Sequence, residues 1–347
     1  MNIYKIVLTG GPCGGKTDVI NGIKNKLEKS GYYVIKIPET AEELISNKII
    51  PDEGREHTLA FQQIVLLKQA HKEQLADMYC QNLIQNSPHL LKNKKGIIIL
   101  YDRGIIDNRA YLSHEDYHNL LKRHNYNELE VLDRYDLAIN LISLATTKPE
   151  LYALNGVRYE TPEQAAKIDQ ITSSAWLLHQ NLITVTPTEN IEEKIDIVLS
   201  IIIDFIEKKK KEEPVSLKLD ADKSDFSHYN NDNSRKIKIT SFDITFPNNT
   251  KFVLDKKQSK ENIAYVLKSS PQDTSISKSW NIDHSTYTML QKLNLLKQFK
   301  EEEILYFIHK GIIFKVVEDE FGTKLYTDTA NIPNIPKNLV LKKTLTK

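Results

Sequence analysis

Gly10, Gly15, Lys16 and Thr17 satisfy the spacing G-x-x-x-x-G-K-[ST] within "LTGGPCGGKT", Leu8 to Thr17. Residues of these types at that spacing suit the holding of phosphate, the alternative being a glycine-rich turn that binds no ligand. Glycines let the backbone curl until successive N–H groups point inward, and the curl runs into the N-terminus of the next helix, itself an anion site. The lysine brings a mobile positive charge to the β- and γ-phosphates, and the threonine hydroxyl can ligate Mg²⁺. Gly10, Gly11, Pro12, Cys13, Gly14, Gly15, Lys16 and Thr17 therefore form the candidate nucleotide-phosphate site, with Cys13 incidental within it.

Three further positions carry charge just past an apolar run or inside a loop. "GIIILYD" ends in Asp102, and an acid there suits Mg²⁺, directly or through water, while its neighbour Arg103 can face substrate or phosphate. "YYVIKIPET" brings Glu39 toward the γ-phosphate end, where a carboxylate can accept a proton from a substrate hydroxyl. The same glutamate also reads as an acid opening the helix "TAEELI". Arg158, in "NGVRYETPEQAAKID", can close over a transferring phosphoryl group or remain a solvated loop arginine.

The elements that must position these residues alternate. "YKIVLTG" reads as a buried strand, and "TDVINGIKNKLEKSG" places Val19, Ile20, Ile23 and Leu27 on one helical face before Gly31. Further strands are expected at 32–37, 96–102, 135–143 and 182–186, separated by long amphipathic stretches. This order predicts an α/β fold with a parallel five-stranded sheet flanked by helices, ligands binding at the carboxyl ends of its strands. "SHEDYH" fits the zinc pattern H-E-x-x-H with His114, Glu115 and His118 but points to no third ligand, and Ser113 followed by two acids also reads as a helix N-cap.

Composition sets bounds. The 347 residues suffice for two domains, and a net charge of +1 implies no general attraction to nucleic acid or anionic membrane. Two distant cysteines argue against a disulfide framework and for a reducing, cytoplasmic compartment. No run reaches the roughly 20 apolar residues of a membrane span, and no signal peptide is visible.

With these motifs in view, "TGGPCGGKT", "IPETAEELI", "YDRGIIDNRAY" and "NGVRYETPEQAAKIDQITSSAWLLHQ" resemble, in order, the AAA-type P-loop ATPase/kinase domain shared by nicotinamide riboside kinases and a phosphoinositide-binding GTPase of TRP-channel translocation. The resemblance covers roughly residues 1–207. It implies a nucleoside-kinase-like fold in which residues 10–17 bind nucleotide phosphates, Asp102 and Arg103 serve the metal and substrate side, and Arg158 lies in a lid. It also implies that Glu39 is a substrate or base residue.

Beyond residue 207, the run Lys208 to Lys211 suits a helix C-terminus, and 208–234 reads as a linker. Residues 235–347 read as a smaller α+β domain: hairpins around "PNNT" and across Phe321-Gly322, with "STYTMLQKLNLLKQF" and "EEEILYFIHKG" helical. Trp280 and the tyrosines are expected in its core.

Two functions fit. One is Mg²⁺-dependent phosphoryl transfer from ATP or GTP to a small hydroxyl compound such as a nucleoside, with Lys16, Glu39, Asp102 and Arg158 catalytic. The other is a nucleotide-binding switch whose C-terminal domain engages a protein or lipid. The absence of an N-K-x-D guanine signature favours ATP.

Overall fold

The computed structural model describes residues 1–147, 161–207, 215–219, 234–246, 250–260, 262–269, 279–309, 312–319, 322–327 and 341–346, with side chains of 215–219, 279 and 341–346 excepted. The chain divides into two compact units, residues 1–125 with 131–211, and residues 126–130 with 212–347.

In the first unit the described elements are β1 (Ile3–Thr9), α1 (Lys16–Lys29), β2 (Tyr33–Ile37), α2 (Thr40–Ser46), α3 (Arg55–Asn86), β3 (Ile97–Asp102) and α4 (His114–Arg123). They continue with α5 (Glu128–Leu132), whose first residues belong to the second unit, then β4 (Leu137–Leu141), α6 (Leu144–Thr147), α7 (Pro162–Ala175), β5 (Leu182–Val185) and α8 (Ile191–Ile206). The five strands form one parallel sheet in the order β2-β3-β1-β4-β5. Every residue of β3 and β4 is buried, which explains why they read as unbroken apolar runs rather than alternating ones. Val19, Ile20, Ile23 and Leu27 of α1 meet Ile195, Val198 and Ile202 of α8 over one face of the sheet. Burial of each such side chain contributes about 1.5–3 kcal/mol. The β1 to β3 register sets Leu8 beside Asp102, so the glycine loop after Thr9 and the acid ending β3 emerge together at the carboxyl end of the sheet.

The second unit contains an antiparallel nine-stranded sheet. Its elements are β6 (Val215–Leu219), β7 (Ser234–Thr245), β8 (Lys251–Ser259), β9 (Asn262–Ser269), β10 (Ser279–Ile282), α9 (His284–Lys292), β11 (Leu296–His309), β12 (Ile312–Asp319), β13 (Gly322–Thr327) and β14 (Leu341–Thr346). The order is β10-β9-β8-β7-β11-β12-β13-β6-β14. Three expectations need correction. "EEEILYFIHK" is not helical but the end of β11, because β7 and β12 pair with it on both sides and its Ile, Tyr and Phe fit a sheet; likewise the helix expected through Phe299 stops at Lys292, and Leu296 to Phe299 open β11. The stretch read as linker contains β6, which pairs with β13. Tyr265 and Tyr287 join the core with Ile244, Leu254 and Leu290, whereas Trp280 stays 45% exposed on the terminal strand β10. Among the described residues no helix is long and apolar enough to cross a membrane.

Candidate functional site: a phosphate loop and the acids that face it

The glycine loop is shaped by what approaches it. Gly10 has φ 128°, and a Cβ there would lie 2.1 Å from the Leu141 carbonyl oxygen ending β4, so both backbone angle and space require glycine. Gly15, at φ 77°, precedes α1, and its carbonyl accepts the Val19 N–H at 3.0 Å. Cys13 also lies in the left-handed region, at φ 60°. Lys16 is 7% exposed and folds back over the loop, donating to the Gly10 and Gly11 carbonyls at 3.0 and 2.8 Å. Burial, aided by the neighbouring Arg103 charge, lowers its pKa from 10.5 to about 8.

Thr17, one residue on, donates its hydroxyl to Asp102 Oδ2 at 3.1 Å. Asp102 Oδ1 is buried and, among the described residues, has no hydrogen-bond partner. Burial and the nearby Glu39 push the Asp102 pKa upward, the condition of a carboxylate that would gain from a cation. Arg103 follows with φ 67°, a left-handed angle that costs a non-glycine residue about 1–3 kcal/mol and is typical of functional sites. Its Nε donates to Glu39 Oε1 at 2.8 Å and its Nη1 to the Gly10 carbonyl at 2.9 Å, with the paired side chains 12% and 19% exposed. Burial alone would raise the Glu39 pKa, but the Arg103 and Lys16 charges outweigh it and hold the carboxylate below its ordinary value. Glu39 occupies the N-cap position of α2 without a side-chain capping bond, so its carboxylate serves the arginine instead.

The structure thus brings Lys16, Thr17, Glu39, Asp102 and Arg103 together at the carboxyl end of the parallel sheet. Arg158 and its loop lie outside the described residues. Helix α7 beyond it begins at Pro162, as its sequence implies, with Thr161 and Gln164 forming a reciprocal capping box. His114 and His118 share a turn of α4 with ring centroids 4.3 Å apart, and Ser113 caps that helix by accepting the Asp116 N–H. No group of three metal-ligating side chains occurs among the described residues.

Sequence reasoning missed two buried acids that hold the site together. Asp169 of α7 accepts the Gly11 N–H at 2.7 Å, the Ser143 N–H at 3.2 Å and the Thr146 hydroxyl at 2.7 Å, tying the loop to the end of β4 and to α6. Asp107 accepts from the Thr9 hydroxyl, from the Gly104 N–H at 2.9 Å and from the Trp176 indole at 2.9 Å. Asp169 had a visible signal, since Ala165, Asp169 and Thr172 recur at helical spacing on the buried face of α7. Lys194 was also overlooked; its ammonium donates to the Gly14 carbonyl at 3.2 Å.

Compared with known proteins, residues 5–194 match the AAA domain family, a span that includes the loop, Glu39, Asp102, Arg103 and Asp169. No curated protein matches the chain. A P-loop domain of this type implies nucleotide binding, in agreement with a glycine loop whose lysine and threonine face a buried acid. With more than half of its length inside the match, the chain belongs to the AAA domain family of P-loop proteins.

Proposed function

We propose that the first unit binds a nucleoside triphosphate with Mg²⁺ and transfers the terminal phosphoryl group to a hydroxyl of a small acceptor such as a nucleoside. The supporting observation is the convergence of Lys16, the Thr17 and Asp102 pair, and the ionised Glu39 at the carboxyl end of the parallel sheet. Asp102 Oδ1, buried with an unused lone pair beside the Thr17 hydroxyl, fits a hard cation held by oxygen, so Thr17 and Asp102 are the residues that would serve Mg²⁺. When bound, that ion neutralises charge on the phosphate oxygens.

The chain's own residues divide the remaining work. Lys16 leaves the Gly10 and Gly11 carbonyls for the β- and γ-phosphates. Glu39, already charged, orients the acceptor hydroxyl and takes its proton as the new phosphorus–oxygen bond forms and the bond to the β-phosphate breaks, releasing a nucleoside diphosphate. Arg103 fixes Glu39 and offers its remaining donors to acceptor or phosphate. Arg158 is the lid arginine of this reading. The resemblance to nicotinamide riboside kinases supports a nucleoside acceptor, the missing guanine signature supports ATP, and the two distant cysteines support a cytoplasmic setting.

A switch is the second reading, favoured by the separate nine-stranded sheet, a large surface for a protein or lipid partner. Nucleotide consumption by the purified protein with Mg²⁺ and ATP or GTP, with and without a panel of nucleosides and with Lys16→Ala as blank, separates the two. Phosphoryl transfer predicts one nucleoside that accelerates turnover and emerges phosphorylated. Nucleotide that binds while no acceptor speeds its consumption contradicts transfer and favours the switch.

A further inference from the structure

Helix α3 buries Gln69 and Glu73, one turn apart, beside the apolar Leu66, Ala70 and Ala76. A buried amide or carboxylate is tolerated where its hydrogen bonds are met. Gln69 makes three. Its Oε1 accepts the Thr40 hydroxyl at 2.5 Å, and its Nε2 donates to Glu73 Oε1 at 3.0 Å and to the Arg103 carbonyl at 3.3 Å. The neighbours dictate which end of the amide faces which partner. Lys72, which can only donate, gives a proton to the Thr40 hydroxyl oxygen at 3.1 Å and leaves the Thr40 proton for Gln69. On the other side the Ile105 N–H donates to the Tyr135 hydroxyl at 3.1 Å, and Tyr135 donates onward to Glu73 Oε1 at 2.6 Å. That carboxylate oxygen accepts, so the amide NH2 must face it.

The other two partners of this amide flank the Glu39 and Arg103 pair. Thr40 follows Glu39 and opens α2, and the Arg103 carbonyl belongs to the residue whose Nε donates to Glu39 Oε1 at 2.8 Å. The β2 to β3 register ends at Ile37 opposite Tyr101, and Pro38 has no N–H with which to extend it. Past that point Gln69 joins the two segments, so one planar amide sets the separation of residues 40 and 103. It also holds the carbonyl of a residue at φ 67°, whose N–H is taken by the Leu8 carbonyl at 3.0 Å. The left-handed turn is thereby fixed on both sides. A polar pair that served only the packing of α3 would need no partner at either segment.

We propose that Gln69 is a positioning residue of the reaction: without touching substrate, it locks the turns after β2 and β3 at the separation that aims Glu39 and Arg103 at the acceptor hydroxyl. Lys72, Glu73 and Tyr135 fix Gln69 in turn. The assignment rests on the phosphoryl-transfer reading above. Misplacing a catalytic group by about 1 Å costs up to about a hundredfold in rate, whereas nucleotide bound at Lys16 and Thr17 is left as it is.

Two measurements on the full chain test this with Gln69→Met, which keeps the length of the side chain and removes its donor and acceptor. Acceptor-dependent kcat should fall by about 10- to 100-fold, with the KM for nucleotide within about twofold of wild type. The Arg103 Nε–H, assigned in heteronuclear NMR spectra by its loss in Arg103→Lys, should exchange with solvent at least about tenfold faster as its contact with Glu39 loosens. Leu83→Ala, toward the far end of α3, is the comparison for a structural effect: it lowers the unfolding midpoint and should leave both readouts at their wild-type values. Thr40→Val removes one of the three bonds and should move both readouts in the same direction by less. It carries the test where circular dichroism shows that Gln69→Met does not fold. Either readout at its wild-type value in the folded variant overturns the proposal, as does an equal loss in Leu83→Ala. A wild type without acceptor-dependent turnover overturns the transfer reading instead, and the exchange rate then decides alone whether Gln69 holds the pair.

Discussion

Lys16 carries the pH dependence of this site. Its ammonium has a pKa near 8 while folded over the Gly10 and Gly11 carbonyls, and a phosphate in their place would keep it protonated well above that. Below pH 8 the side chain is already charged and nucleotide affinity should be flat. Above it, binding must take up a proton, and affinity should fall by up to about tenfold per pH unit. Calorimetry in two buffers of different ionisation enthalpy measures that uptake directly, and equal affinity at pH 7 and 9.5 contradicts the assignment. Glu39 makes a different prediction. Glu39→Gln removes the proton acceptor and the Arg103 ion pair, so acceptor-dependent kcat should drop about 10²–10⁴-fold with nucleotide affinity changed only a few-fold. A variant that turns over at the wild-type rate removes Glu39 from the reaction. The residue types and the loop spacing were legible because motif, strand and helix are contiguous. The Glu39 and Arg103 pairing was not, because it joins residues from different strands, and only the register of β2 on β3 brings them together.

At the scale of elements, Asp169 is the joint between α7, α6 and the phosphate loop. Its carboxylate serves two backbone N–H groups and one hydroxyl, and a Cβ at Gly11 would lie 2.5 Å from the Asp169 Cβ, so loop and helix are in close contact. Asp169→Ala strands the Gly11 and Ser143 donors in a dry site, at about 1–3 kcal/mol each. Denaturant unfolding should therefore show a loss of about 2–5 kcal/mol, with Asp169→Asn losing less because one acceptor oxygen survives. Stability equal to wild type in the alanine variant contradicts this role. Fully buried strands such as β3 were readable from their apolar runs. The end of β11 was misread, since its opening glutamates favour helix locally and only pairing with the distant β7 and β12 makes it a strand.

For the whole molecule, the division into a parallel sheet and an antiparallel one predicts where a ligand acts. Nucleotide at about a hundredfold excess over its Kd should stabilise the unit that binds it by about 3 kcal/mol. Hydrogen exchange should then show protection gained at residues 8–17, 39 and 102–107 and unchanged exchange in β7, β8 and β11. Equal protection across the nine-stranded sheet contradicts a site confined to the first unit. The order of strands and helices up to residue 207 was legible because local periodicity and short connections dictate it. The second sheet was only partly so, for β6 pairs with β13 across about a hundred residues and no local pattern announces such a partner.

The most direct test of the central claim is calorimetric titration of ATP and of GTP, each with Mg²⁺, into the wild type and into Lys16→Ala. The account predicts one nucleotide bound per chain, an affinity lower by about a hundredfold or more in the variant, and an unfolding temperature that the substitution barely moves. Equal affinity in the two proteins, or no binding to the wild type, would contradict it.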